Sequence, residues 1–374
     1  MACGTRLIRK DRGPGKPNVT GRWLRTLLAL LAGTLGGALF AWLHAPLPWM
    51  LGPIFAVGAC NLAGAGFAPP IAVRRGGQWV VGAVLGLYFT PDAVARMSAL
   101  GPALIVATTA IIMIGWGFCW ALIRFARVDP ATAFFGGAIG GASEMLVQGE
   151  RYGGSGQLIS AGHTLRLIIV ITLIPFSMAA LGVHGDDAWL PPPMAISIPG
   201  LLVLAALTGT AGVLAQRVRL PNAWVLGPLF CAAALAWSDL SLSALPRPVI
   251  NIGQLLLGVA IGSRFAPDFF RVAPRYLSVV AVSSVVGVGL ALLLAWGLSW
   301  LSGLRVVTLL LAVAPGGVAE MALTAKVLQL GVPVVTAFQV MRVVVLLLSV
   351  GTTYRLLGRW FDWPRDTGAP RRRA

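Results

Sequence analysis

The sequence has few charged residues and few metal-binding side chains, and each shortage excludes a class of protein. Only 11% of its 374 residues are Asp, Glu, Lys or Arg, less than half the roughly 25% that is typical of soluble globular domains. Its four cysteines and three histidines are scattered without CxxC, HxH or HxxxH spacing, which argues against a disulfide framework and a metal centre. The shortage of charge excludes an ordinary soluble domain.

What the sequence does have is long apolar blocks. It is 57% hydrophobic, and the apolar residues form runs of about 18 to 25 residues, the length that spans a hydrocarbon core as a helix. The formal net charge of +17 would suggest nucleic acid in a soluble protein, but no DNA-reading module lies outside the apolar runs. The sequence therefore predicts an all-α polytopic membrane protein without direct nucleic acid binding. It does not indicate how many copies assemble.

The sequence contains an internal duplication. Several motifs recur in the same order at an offset of 175 or 176 residues, which predicts two homologous halves. The matches are PLPWMLGPIF at 46–55 with PNAWVLGPLF at 221–230, residues 77–92 with 253–268, and GGASEM at 140–145 with GGVAEM at 316–321. The predicted organisation is a disordered basic cytoplasmic tail (1–22), repeat 1 (23–182), an acidic Pro-rich linker (183–195), repeat 2 (196–356) and a second basic cytoplasmic tail (357–374).

Each half contains six apolar segments, and the fifth (131–148 and 306–325) is Gly-rich and carries a carboxylate. If the fifth segment is re-entrant or broken, each half crosses five times and the repeat is inverted, with about ten spans in all. If it spans, the repeat is parallel. Basic loop residues are normally concentrated on the cytoplasmic side of the membrane. The inverted arrangement places only four of them on the other side, and the parallel arrangement places eight there, so the rule favours inversion. Those four are Arg96, Arg247, Arg305 and Lys326.

Ionisable residues inside the apolar segments are the candidate functional residues, because they are costly in a bilayer and need partners. Glu144 and Arg166 lie 22 residues apart in the first half, and Glu320 and Arg342 repeat that spacing in the second. The functional interpretation is a central site where the glutamates bind a proton or cation and the arginines hold an anionic group. The alternative is that each Glu simply pairs with an Arg to lock the fold.

Neighbouring residues extend this candidate site. The Gly-Gly steps beside the glutamates would free backbone groups for a ligand. Gln78 and Gln254 are repeated amides inside apolar segments, for which hydrogen bonding between helices is an equal explanation. His163 lies one turn before Arg166, and its counterpart is Gln339. The further candidates are Ser143, Gly140, Gly141, Gly316, Gly317, Gln78, Gln254 and His163.

The repeated GG-x-[SA]-E-M stretches, each preceded by W-x-L-G-P, resemble the bacterial membrane AbrB family over nearly the whole chain, from about Trp23 to Arg355. Members of that family carry the labels transcriptional regulator and ammonia monooxygenase. The resemblance therefore implies a role in the regulation of gene expression. The residues themselves offer neither a DNA-binding module nor metal ligands or a catalytic constellation, so they predict a protein that is not an enzyme and has no cofactor.

The leading functional prediction is secondary transport of a small, anionic solute across the bacterial inner membrane, with Glu144 and Glu320 as coupling residues. Both termini would be cytoplasmic, and the partners would be the solute, a proton or cation, and the lipid bilayer. The alternative is a membrane-embedded regulator or sensor that acts indirectly on gene expression.

Overall fold

The computed structural model describes residues 19–185, 194–240, 242–267, 269, 271 and 273–360. Within these ranges the chain forms helices and connecting turns, with no β-strand, which confirms the predicted all-α class. The predicted linker is described only at its ends. The predicted tails at 1–22 and 357–374 lie largely outside the described residues.

Eight α-helices precede the linker and seven follow it within the described ranges. The first eight are α1 (Val19–Trp42), α2 (Pro48–Leu62), α3 (Ile71–Gly86), α4 (Pro91–Met97), α5 (Gly101–Ala121), α6 (Pro130–Gly137), α7 (Ala142–Arg151) and α8 (Gly156–Ala180). The others are α9 (Ile198–Arg217), α10 (Ala223–Trp237), α11 (Arg247–Gly262), α12 (Pro274–Ser302), α13 (Val306–Val313), α14 (Val318–Leu328) and α15 (Val332–Trp360). A π-helical turn, Leu122–Ala126, extends α5.

Six helical stretches among the described residues are long and apolar enough to cross a bilayer: Gly21–Trp42, Pro91–Ala126, Gly156–Ala180, Ile198–Arg217, Pro274–Ser302 and Val332–Gly358. Large apolar side chains such as Leu35, Ile105 and Leu293 are exposed on them, as expected of a surface that faces lipid. Four further helices, α2, α3, α10 and α11, have 15 or 16 residues, fewer than the roughly 20 of a full span. The count of ten crossings therefore stays a prediction.

The fifth segment of each half is interrupted, as the sequence predicts. Residues 138–141 separate α6 from α7, and residues 314–317 separate α13 from α14. The first pair folds back on itself: the Ser155 amide, just after α7, donates to Thr132 Oγ1 near the start of α6 at 2.7 Å. The Tyr152 ring also stacks on Phe135, with centroids 5.6 Å apart. Helices α6 and α7 therefore form a hairpin.

Local sequence sets the beginning of this hairpin. Asp129 precedes α6 and its Oδ1 accepts a hydrogen bond from the Thr132 amide at 2.8 Å. Pro130 occupies the first helical position, where the missing N–H costs nothing. Ser155 caps α8 in the same way, accepting from the Leu158 amide at 3.4 Å.

All the helices except α4, which contacts α10 and α15, pack in two groups. In the first helix group, α1–α3 and α9–α11, α2 packs against α1 and α11, and α3 packs against α10 and α11. In the second helix group, α5–α8 and α12–α15, α12 packs against α5 and α8, and α15 packs against α13 and α14. The groups touch where α3 meets α14 and α15.

Small residues allow the close packing of the first group. A Cβ on Gly82 or Gly86 of α3 would collide with the backbone carbonyls of Val225 or Leu229 in α10. A Cβ on Gly258 of α11 would lie 2.5 Å from the Met50 carbonyl oxygen of α2. The repeated GxxxG spacing therefore brings helix backbones together and supplies no ligand.

Candidate functional site

A polar cavity of about 100 Å³ lies between the two helix groups. Its wall from the first group is formed by Arg74, Gln78, Asn222, Val225, Leu257, Ile261 and Arg264. Its wall from the second group is formed by residues 140–142 and 315–320, at the two helix interruptions, and by His163, Arg166 and Leu167 of α8. Both interrupted segments therefore reach one cavity.

Most of the residues predicted from sequence line this cavity, and four do not. Those in the lining are Gln78, Gly140, Gly141, His163, Arg166, Gly316, Gly317 and Glu320. The others are Ser143, Glu144, Gln254 and Arg342. Ser143 and Glu144 follow the lining residue Ala142 in α7, Gln254 is buried in α11, and Arg342 is 2% exposed in α15.

Arg166 binds the end of the first half-helix rather than a glutamate. Its Nη1 donates to the carbonyls of Gly136 and Gly137 at 3.3 and 3.1 Å, and its Nη2 donates to that of Ala138 at 2.8 Å. These carbonyls belong to the C-terminal end of α6, where helical acceptors lack partners and a cation is favourable. The guanidinium therefore stabilises the interruption.

His163 completes this arrangement. Its Nδ1 lies 2.8 Å from Arg166 Nη2, and its Nε2 lies 2.9 Å from the Phe135 carbonyl oxygen. Because a guanidinium can only donate, Nδ1 must accept, and Nε2 carries the proton that is donated to Phe135. The contacts therefore fix His163 as one neutral tautomer.

The second half repeats two of these contacts at an offset of 176 residues, those to Ala314 and Leu311. Arg342 donates to the carbonyls of Ala314 and Gly316 at 2.8 and 2.7 Å. Gln339, the counterpart of His163, donates to the Leu311 carbonyl at 2.8 Å, and Leu311 is the counterpart of Phe135. Both arginines therefore donate to carbonyls and not to Glu144 or Glu320. The Glu–Arg pairing that the sequence offered as an alternative does not form, and each arginine caps a half-helix instead.

The glutamates occupy the beginnings of the second half-helices. Glu144 and Glu320 are the third residues of α7 and α14, where a carboxylate is favoured by the helix dipole. Glu320 is 8% exposed, lines the cavity and interacts electrostatically with Arg74 and Arg264. Among the described residues, Glu144 Oε2 is buried without a hydrogen-bond partner. The two glutamates therefore have different surroundings.

The Gly-Gly steps make room for the side chains that follow them. A Cβ on Gly141 or Gly317 would collide with the carboxylate of Glu144 or Glu320, respectively. A Cβ on Gly316 would lie 2.9 Å from Met321 Cε. The GG-x-[SA]-E-M motif is thus explained: its glycines lie beneath the Met and Glu side chains.

Sequence reasoning missed three polar residues of the cavity. The inverted arrangement places every basic loop residue except Arg96, Arg247, Arg305 and Lys326 in the cytoplasm, and so places Arg74 and Arg264 there. Both are half-buried at the cavity. The third residue is Asn222, which no sequence motif indicated. Burial lowers the pKa of Arg264 to about 10, Arg74 adds to that decrease, and Glu320 opposes it. A signal was available for Arg74, because it lies four residues before Gln78 and so on the same helix face.

A metal is not indicated at this site. Within the described ranges no group of three or more His, Cys, Asp or Glu side chains could hold a metal ion. The lining residues bring guanidinium groups, side-chain amides and the beginnings of two helices to the cavity, and these groups can donate hydrogen bonds to an anion.

Comparison with known proteins identifies the family. Residues 49–358 match the family described as transition state regulatory protein AbrB. The chain belongs to this family. A relative from Escherichia coli (strain K12) is named as a regulator, AbrB. It is 24% identical to this chain over 341 residues, which cover 90% of this chain and 94% of the relative. YhjN of Bacillus subtilis (strain 168) is 28% identical over 304 residues, covering 75% of this chain and 77% of its own.

The region matched to the AbrB family extends from α2 into α15 and includes every residue that lines the cavity. The predicted family resemblance is therefore confirmed. The name of one relative mentions regulation, and neither name mentions a ligand.

Proposed function

We propose that this AbrB-family protein is a secondary transporter of a small anionic solute in the bacterial inner membrane and not an enzyme. The observation that carries the proposal is the polar cavity between the two helix groups, which receives both interrupted segments. Interrupted helices that meet near the centre of a bundle are a common way to build transporter binding sites. Relative motion of the two groups would expose the cavity to each side in turn.

An inverted repeat with both termini in the cytoplasm is part of this proposal. The α6–α7 hairpin supports it, because the contact of Ser155 with Thr132 brings the end of α7 back to the start of α6. A hairpin of that kind does not cross the bilayer, which leaves an odd number of crossings in the half. The equivalent contacts of Arg166 and Arg342 are consistent with two related halves.

Coupling by Glu144 and Glu320 can be tested in proteoliposomes that contain a pH-sensitive dye. We expect small carboxylates, beginning with acetate, to drive proton uptake with the unmodified protein, measured against protein-free liposomes. The double variant E144Q/E320Q replaces each carboxyl group with an amide of similar size that cannot bind a proton. We expect it to lose the proton movement while it retains its fold.

The control is E150Q, because Glu150 is exposed at the end of the same helix, α7, outside the cavity lining. It should behave like the unmodified protein. Unchanged proton-coupled uptake in E144Q/E320Q would contradict the coupling role of the glutamates.

A membrane-embedded regulator is the second candidate function, favoured by the family description and by the name of the Escherichia coli relative. A regulator would bind its ligand without net flux and would act on gene expression through a partner. Deletion of both tails should abolish its effect on expression, whereas a transporter made of the helical region should keep its flux.

A further inference from the structure

We propose that the cavity is an oxyanion site in which Arg74 and Arg264, rather than the repeated arginines, hold the ligand. The ligand would be a small oxyanion, the size of acetate or sulfate, placed against the first backbone amides of α7 and α14. The inference deepens the proposed function by naming its substrate class, and only the claim of movement across the membrane rests on that function.

The two arginines differ from Arg166 in what their donors already bind. Both terminal nitrogens of Arg166 are occupied by three backbone carbonyls and His163. Arg74 has one weak contact, from Nη1 to Ser143 Oγ at 3.5 Å. Within the described part of the chain, neither Arg74 nor Arg264 forms an ion pair with a carboxylate. Two guanidinium groups at the wall of one cavity therefore have donors for a ligand.

The opposite wall adds neutral donors. The cavity lining includes residues 140–142 and 316–319, which contain the beginnings of α7 and α14. The first N–H groups of a helix lack intrahelical acceptors, and the helix dipole makes them favourable for an anion. The Asn222 side-chain amide points to the same place, because its Nδ2 would lie 3.6 Å from a Cβ on Gly141.

The volume restricts the ligand. At about 100 Å³, the cavity is smaller than the roughly 150 Å³ engineered cavity that accommodates benzene. An oxyanion of about four to six non-hydrogen atoms would fit. Citrate, which has more than twice as many atoms as acetate, would not.

Glu320 supplies the link to protons. Its carboxylate is nine-tenths buried on the cavity wall and interacts with both Arg74 and Arg264, so an incoming oxyanion competes with it for the same cations. Protonation of Glu320 removes the competing charge, and the oxyanion therefore binds with uptake of a proton. The other titratable side chains of the cavity wall are His163 and Arg166, which are held by backbone carbonyls. Glu144 and Arg342 lie outside the lining, and Arg342 is also held by backbone carbonyls.

Calorimetric titration of the purified full chain in detergent tests the site directly, with sodium acetate and sodium sulfate as separate probes and sodium chloride to hold the ionic strength. We expect R74Q and R264Q each to weaken binding at least tenfold, with R74K and R264K intermediate. R75Q is the matched control, because Arg75 is the adjacent half-buried arginine of α3 and does not line the cavity. Citrate should not bind.

Binding of acetate alone would assign the site to carboxylates, and binding of sulfate alone would assign it to inorganic oxyanions. Affinity should increase as the pH falls, and E320Q should bind with an affinity that no longer depends on pH. No binding of either probe, or an equal loss in R75Q and R74Q among variants that unfold at the same temperature, would overturn the oxyanion site.

Flux measurements separate this inference from the proposed function. Arg74-dependent binding without uptake into proteoliposomes would overturn transport and leave the oxyanion site standing. Proton-coupled uptake that is unchanged in R74Q and R264Q would overturn the site and leave transport standing.

Discussion

Arg166 and Arg342 are buried beside the ends of α6 and α13. Their contacts explain how helix ends inside an apolar bundle are stabilised. Each guanidinium donates to carbonyls that the interruption leaves without helical partners. An unpaired buried backbone group costs about 1–3 kcal/mol, so these arginines have a structural role wherever a ligand binds. Among the described residues, Arg74 and Arg264, which line the same cavity as Arg166, are not held by backbone carbonyls in this way.

His163 provides a test of this structural role, because Gln339 occupies the equivalent position in the other half. H163Q should keep a donor for the Phe135 carbonyl, as Gln339 does for Leu311. It should not replace the bond to Arg166, because Gln339 Oε1 is buried without a hydrogen-bond partner among the described residues. H163L removes both bonds and should lower the free energy of unfolding by about 2 kcal/mol. Thermal unfolding in detergent measures both variants. Equal stability of H163L and H163Q would contradict the assignment.

The interrupted segments show why glycine occurs at a position that does not require a left-handed backbone. Gly141 has φ of −66° and Gly317 has φ of −85°, values that any residue can adopt. The requirement is for space: each glycine lies under the carboxylate of the glutamate three residues later. A side chain at either glycine would displace the carboxylate of Glu144 or Glu320. The shape of the interruption therefore determines where the carboxylate lies.

Substitution of Gly317 by Ala tests that coupling. The added methyl group collides with the Glu320 carboxylate, so G317A should destabilise the protein by about 1–3 kcal/mol, the usual cost of overpacking. G289A is the control, because a Cβ there meets no atom within 4 Å in α12, and Ala favours a helix over Gly by up to about 1 kcal/mol. Unfolding temperatures in detergent compare the two. Similar values for G317A and G289A would show that the carboxylate has room to move.

At the scale of the whole molecule, the apolar runs were sufficient to predict the helices, and the repeated GG steps were sufficient to predict the interruptions. These patterns could not predict the hydrogen-bond partners of Arg166, because those partners are backbone carbonyls, which every residue has and no sequence motif marks. Arg74 and Arg264 were assigned to loops because a basic residue beside an apolar run is usually exposed. Their burial depends on how α3 and α11 pack against the second helix group, which is a tertiary property.

The direction of the halves, which separates the inverted from the parallel arrangement, can be measured with single cysteines. His184 precedes α9 and Arg219 follows it, and both are exposed. The inverted arrangement places residue 184 outside and residue 219 in the cytoplasm, whereas the parallel arrangement exchanges them. In a background without the native cysteines, H184C should react in intact cells with a maleimide that cannot cross the membrane, and R219C should react only after lysis. Labelling of R219C but not H184C in intact cells would replace the inverted arrangement with the parallel one, and the α6–α7 segment would then have to cross the bilayer.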